Sequence, residues 1–159
     1  MQTLKELEEQ KAELEKKIAE AKRLPDKPSE LIRVALEDVK KVENTPGYKV
    51  NLHEWNEVRR DGLCHVCLGG SVLVQRCGAK NGESPGVLLE QKRIDHETYR
   101  KLYALDYFRW GNVKAGLDEM GISSVDLPGQ LLVTDYKNGP AAFFHDMENV
   151  ARVLEARGL

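Results

Sequence analysis

No apolar run in this chain approaches the roughly 20 residues that a membrane-spanning helix needs. Its opening, "MQTLKELEEQKAELEKK", is charged throughout and lacks the apolar centre of a signal peptide. Charge of one sign is missing too: 24 basic residues against 26 acidic leave a formal net charge of -2, so no global field draws the chain to DNA, RNA or an anionic membrane. Cysteine is scarce, with three residues confined to one segment; an odd, clustered count is not a disulfide framework and agrees with a reducing compartment. Catalytic signatures are absent as well. There is no Gly-rich phosphate loop, no G-x-S-x-G elbow and no H-E-x-x-H, and "GAKNGESPG" lacks the Lys-Ser/Thr ending of a P-loop. His53, His96 and His145 have no general-base arrangement around them, His145 and Asp146 being neighbours that point apart. These absences predict a cytoplasmic, non-enzymatic protein for which neither membrane nor nucleic acid is an expected partner. At 159 residues, 41% hydrophobic and 31% charged, the chain has room for one real core plus an appendage.

What is present begins with a heptad pattern. In residues 1–24, Leu4, Leu7, Leu14, Ile18 and Ala21 fall at alternating spacings of three and four, with Lys11 at the one polar seam position. Thr3 and Glu6 form a capping box at the start, and Pro25 and Pro28 end the helix. So short a helix with so narrow a stripe calls for a partner, and Leu4, Leu7, Leu14 and Ile18 are the expected oligomerisation residues. Charge placement mildly favours antiparallel pairing; the alternative is a helix folded back on its own domain. Residues 25–29 read as a linker and 30–159 as a single helical domain.

Within that domain, Ser29 is the expected N-cap of a helix whose core stripe is Leu31, Ile32, Ala35, Val39 and Val42, stopped by "TPG" at 45–47. "YKVNLHEWNEVRRDG" reads as a loop or one short strand, and residues 78–86 as a surface loop. From residue 94 a helical hairpin follows, capped by Asp95 and by Asn112, with Gly111 between its helices and Gly121 at its end. "DLPGQLLVTDYKNG" is a connection with room for one strand. Pro140 then opens a last helix with Phe143, Phe144, Met147, Val150, Ala151 and Leu154 on its apolar face. The fold class is mainly α: about five helices after the N-terminal coiled-coil helix, with one or two short strands.

Two stretches could carry function. In "GLCHVCLGGSVLVQRCG", Cys64, Cys67 and Cys77, with His65 or His53, suggest zinc, but the second short-spaced ligand pair is missing. On one continuous helix Cys77 would lie about 15 Å from Cys67 at 1.5 Å rise per residue. The spacing of Cys67, Gly70, Ser71 and Val74 predicts instead a small-residue face on a central helix, against which another helix packs closely, with His65 exposed. A redox C-x-x-C would start a helix after a strand in a thioredoxin-like pattern, which the sequence does not show. The second stretch is "ETYRKLYALDYFRWG", holding five of the ten aromatic residues. Tyr99, Tyr103 and Tyr107 line one helical side, Leu102 and Leu105 another, and Arg100, Lys101 and Arg109 are interleaved. Tyr99, Arg100, Tyr103, Tyr107, Arg109 and Trp110 are therefore the candidate ligand or partner surface.

"SELIRVALEDVKKVENTPGYKVNLHEW", "CHVCLGGSVLV" and "YRKLYALDYFRWGNVKAGLDEMG" together resemble uncharacterised small proteins encoded in bacteriophage and prophage genomes, over residues 29–157. The resemblance implies a binding role in the host cytoplasm: inhibiting a host protein or sequestering a small, nucleotide-like signal of antiviral defence. No cofactor is expected. The alternative is a zinc-stabilised nucleic-acid-binding module, with Cys64, Cys67 and Cys77 on the metal and Lys92, Arg93, Arg100 and Lys101 on phosphate. A cysteine-nucleophile enzyme is the third reading.

Overall fold

The computed structural model describes residues 1–109, 112–123, 134 and 137–159, apart from the side chains of Ala21 and Arg109. The molecule is mainly helical, with seven helices and a small three-stranded sheet among the described residues. No helix among them is long and apolar enough to cross a membrane.

Helix α1 (Leu4–Lys22) starts at the Thr3–Glu6 capping box, where both reciprocal hydrogen bonds form, at 3.2 and 2.7 Å. Every residue from 1 to 20 is exposed, so α1 stands off the rest of the molecule. Helix α2 (Pro28–Glu43) begins one residue before Ser29. Ser29 is thus not its N-cap: Pro28 sits in the first turn, where its missing N–H costs nothing. The Ser29 hydroxyl donates instead to the carbonyl of Leu159, tying α2 to the chain's last residue. The stripe Leu31, Ile32, Ala35, Val39 and Val42 is buried as its spacing predicts.

Three strands follow, one more than expected: β1 (Tyr48–Val50), β2 (Glu57–Val58) and β3 (Cys64–Val66), in the order β1-β3-β2. The central strand β3 pairs parallel with β1, Tyr48 opposite Cys64, and antiparallel with β2, Val58 opposite Cys64. Helix α3 (Leu68–Arg76) leaves β3 through Cys67, its N-cap, so the cysteine segment is a strand and a helix rather than one helix. Its small residues do permit close approach, of a loop at Gly70 and of both that loop and a neighbouring helix at Gly69, where a Cβ would lie 3.3 Å from the Leu102 carbonyl oxygen. A Cβ on Gly70 would overlap the Trp55 carbonyl oxygen, and one on Gly69 would lie 2.7 Å from the Trp55 ring.

Helix α4 (Pro85–Glu90), capped by Ser84, occupies part of the expected surface loop and is the additional helix. The hairpin forms as expected from α5 (His96–Arg109) and α6 (Val113–Glu119). Asp95 accepts from Thr98 N–H at 2.8 Å, and Asn112 from Ala115 N–H at 3.0 Å. Gly121 turns the chain at φ +75°. Most of 126–139, where one strand is expected, and the Gly111 link lie outside the described residues. Helix α7 (Pro140–Ala156) buries Phe143, Met147, Val150, Ala151 and Leu154 against α2. With α2, α3 and α5 it encloses one core, also holding Leu68, Leu73, Leu102, Leu105 and Phe108, each such side chain contributing about 1.5–3 kcal/mol.

Candidate functional site

The segment joining α1 to the body is held from below. Leu24 is 2% exposed and belongs to the core, and the ammonium of Lys101 on α5 donates to the Leu24 carbonyl (3.0 Å), to Asp26 (2.8 Å) and to Glu97 (3.0 Å). Lys101 holds the Asp26 carboxyl below the usual carboxylate range. Lys101 is itself buried, so it is a clamp and does not face phosphate. Arg93 is similarly engaged, donating to Glu83 at 2.6 Å and to the Gly78 carbonyl at 2.8 Å. Lys92 is exposed, and Arg100 reaches the Glu119 carbonyl at 3.2 Å.

On the tyrosine face of α5 the structure brings together Tyr99 and Tyr103, with ring centroids 4.6 Å apart, and adds Trp55 at 5.5 Å from Tyr103. These three half-buried rings form a ledge; Tyr107, 39% exposed, follows one turn further along α5, and Arg100, exposed on the same helix, reaches toward α6. The neighbouring Tyr99 hydroxyl, together with burial, pushes the Tyr103 phenol up to about 12. Trp110 and the Arg109 side chain lie outside the described residues. Nothing in the sequence marks Trp55, because its segment shows no period; its one cue is the Gly69–Gly70 pair, which needs something to pack on it. Beside Trp55 a hollow of about 360 Å³ opens, lined by His53, Glu54 and Ser84 among others.

The cysteines are dispersed. Cys64 is buried in a small cluster with Val42 and Val66 and donates to the Asn56 side-chain oxygen at 2.9 Å. Cys67 caps α3, its sulfur accepting from Gly70 N–H at 3.3 Å, and Cys77 closes the other end of the same helix. Burial raises the Cys64 thiol and pushes Cys77 up to about 11. No group of three His, Cys, Asp or Glu side chains among the described residues could hold a metal. His65 is not exposed as its position between cysteines predicts: on the central strand it is 8% exposed. Asn51 donates to its Nδ1 (3.1 Å), which leaves the proton on Nε2 to donate to Asp61 (2.8 Å). Asp61 is held low first by the Leu63 N–H and then by this ring. Both ring nitrogens are therefore occupied.

A larger cleft, about 700 Å³, separates the C-terminal half of α1 from the body. It opens next to the exposed stripe, where Leu4, Leu7, Leu14 and Ile18 are 72%, 47%, 60% and 45% exposed. Chemically, the ledge offers aromatic stacking, and α1 offers unburied aliphatic surface; both are features of contact surfaces. Neither a protein-family model, nor a curated protein, nor a solved structure matches the chain.

Proposed function

We propose that this is a non-enzymatic binding protein that works as a homo-oligomer. In this reading α1 joins the copies as a coiled coil, and the ledge of Trp55, Tyr99 and Tyr103, with Arg100 and Tyr107, grips a host protein or a small nucleotide-like ligand. The observation that carries it is the exposed stripe of α1. A helix of 19 residues is marginal on its own. Four large aliphatic side chains in one row, unburied by the rest of the chain, find their natural cover in a second helix. Tyr and Trp on the ledge are among the residue types that dominate binding hot spots. The resemblance of residues 29–157 to small phage accessory proteins supports inhibition or sequestration in antiviral defence as the use of that binding.

The test pairs assembly with capture. Sedimentation equilibrium of the full chain and of a chain lacking residues 1–22 is expected to give an oligomer and a monomer. Affinity capture from bacterial lysate, with mass spectrometry of proteins and released small molecules, is expected to retain one specific species that Tyr103→Ala loses at least tenfold. A strictly monomeric full chain at micromolar concentration, or identical capture by both proteins, would sink the proposal.

A further inference from the structure

We infer that α1 pairs antiparallel with α1 of a second copy, and that the partner helix seats its first turns in the cleft between α1 and the body. This rests on the oligomeric reading above and gives it an orientation and a docking site.

Charge along α1 is polarised. Residues 4–15 carry two lysines against five glutamates, and residues 16–23 carry four basic residues against one glutamate, a net -3 followed by a net +3. Antiparallel pairing lays the acidic half of each helix on the basic half of the other, whereas parallel pairing stacks like on like. The seam agrees. In a parallel, in-register pair, Lys11 would meet Lys11 of the partner subunit in the apolar seam. Antiparallel pairing centred between residues 12 and 13 sets Leu7 against Ile18 of the partner subunit, and Lys11 against Leu14 of the partner subunit. There the Lys11 stem covers leucine while its ammonium reaches out to Glu15, 3.8 Å away in its own helix.

The cleft supplies the second wall. Ile18 and Ala19 line it from α1, and Leu24, Cys77 and Ile94 line it from the body, so the stripe opens into it. A helix about 10 Å across with 5.4 Å per turn fills about 400 Å³ per turn, so about 700 Å³ takes nearly two turns. Those would be the partner's leading turns, with their glutamates beside Lys22, which lines the mouth and has no ion-pair partner among the described residues.

The test uses cysteine cross-linking in a Cys77→Ser background, with Leu7→Cys and Ile18→Cys chains. Both substituted positions are exposed, so the body folds as before. Mixed Leu7→Cys and Ile18→Cys chains are expected to form a disulfide-linked dimer under mild oxidation. Leu7→Cys alone is expected not to, because its two copies lie about 16 Å apart along the axis, beyond disulfide reach. Self-linking of Leu7→Cys without the mixed product would overturn the antiparallel arrangement and leave the oligomer standing. No linking of either kind, with a sedimentation mass of 18.0 kDa, would remove the oligomer itself. For the cleft, Ile94→Glu is expected to weaken the dimer at least tenfold; an unchanged dissociation constant would overturn that part.

Discussion

At the scale of single residues, Gly70 is where the ledge is anchored. The Trp55 carbonyl occupies the space a side chain would need, and backbone cannot swing aside as a flexible side-chain tip can. Gly70→Ala is therefore expected to destabilise the fold by about 3 kcal/mol, measured by urea unfolding. Gly86→Ala is its control: only the Ser84 hydroxyl lies near, at 3.8 Å, inside a helix where alanine is the better residue, so no loss is expected there. Cys77 gives a pH prediction. Its thiol is raised from 9.0 to about 11 in the folded chain, so the folded state holds this proton more tightly than the unfolded one. The resulting stability is complete below pH 9 and is lost as pH rises toward 11. The urea midpoint is expected to fall across that window, and Cys77→Ser to flatten the fall. A wild-type midpoint that stays level from pH 9 to 11 would contradict the burial assigned to this thiol.

Among the elements, the joint between α1 and α2 turns on one side chain. Lys101→Met keeps the aliphatic stem but removes the donor from the buried Leu24 carbonyl, at a cost of about 1–3 kcal/mol. Trypsin cleavage at Arg23 is expected to accelerate, read as the rate of loss of intact chain; unchanged cleavage would show that the joint is held elsewhere. Three helix starts were legible in the sequence from the side chains that cap them, since Thr3, Asp95 and Asn112 all act as their spacing predicts, whereas the caps Cys67 and Ser84 were not. The stripe of α2 and the apolar face of α7 were legible because each repeats over several turns. The strands were not. Strand β3 is buried at all three positions, so it shows no alternation, and β2 is only two residues long. Helix α4 has six residues, too few for a period to declare itself, and starts at the end of a glycine-rich stretch. The cysteine segment misled because the three-and-four spacing is real from Leu68 onward but stops at Cys67, where extended backbone begins. Of the candidate site, the tyrosine row was readable from one helix, whereas Trp55 meets it only through tertiary packing.

For the whole molecule, the body and α1 have separate tasks. The body buries its core without help from residues 1–20, and α1 leaves its apolar stripe in water. An oligomer built on that stripe depends on it, so disrupting it is expected to change assembly while leaving the body's unfolding transition in place. The most direct measurement is sedimentation equilibrium of the full chain beside the double variant Leu7→Glu/Ile18→Glu, with thermal unfolding of both followed at the tryptophan and tyrosine signals of the body. The expected result is an oligomer at micromolar concentration for the full chain, a monomer for the variant, and unfolding of the variant's body as cooperative as that of the truncated chain. A monomeric full chain, or a variant that assembles as well as its parent, would contradict it.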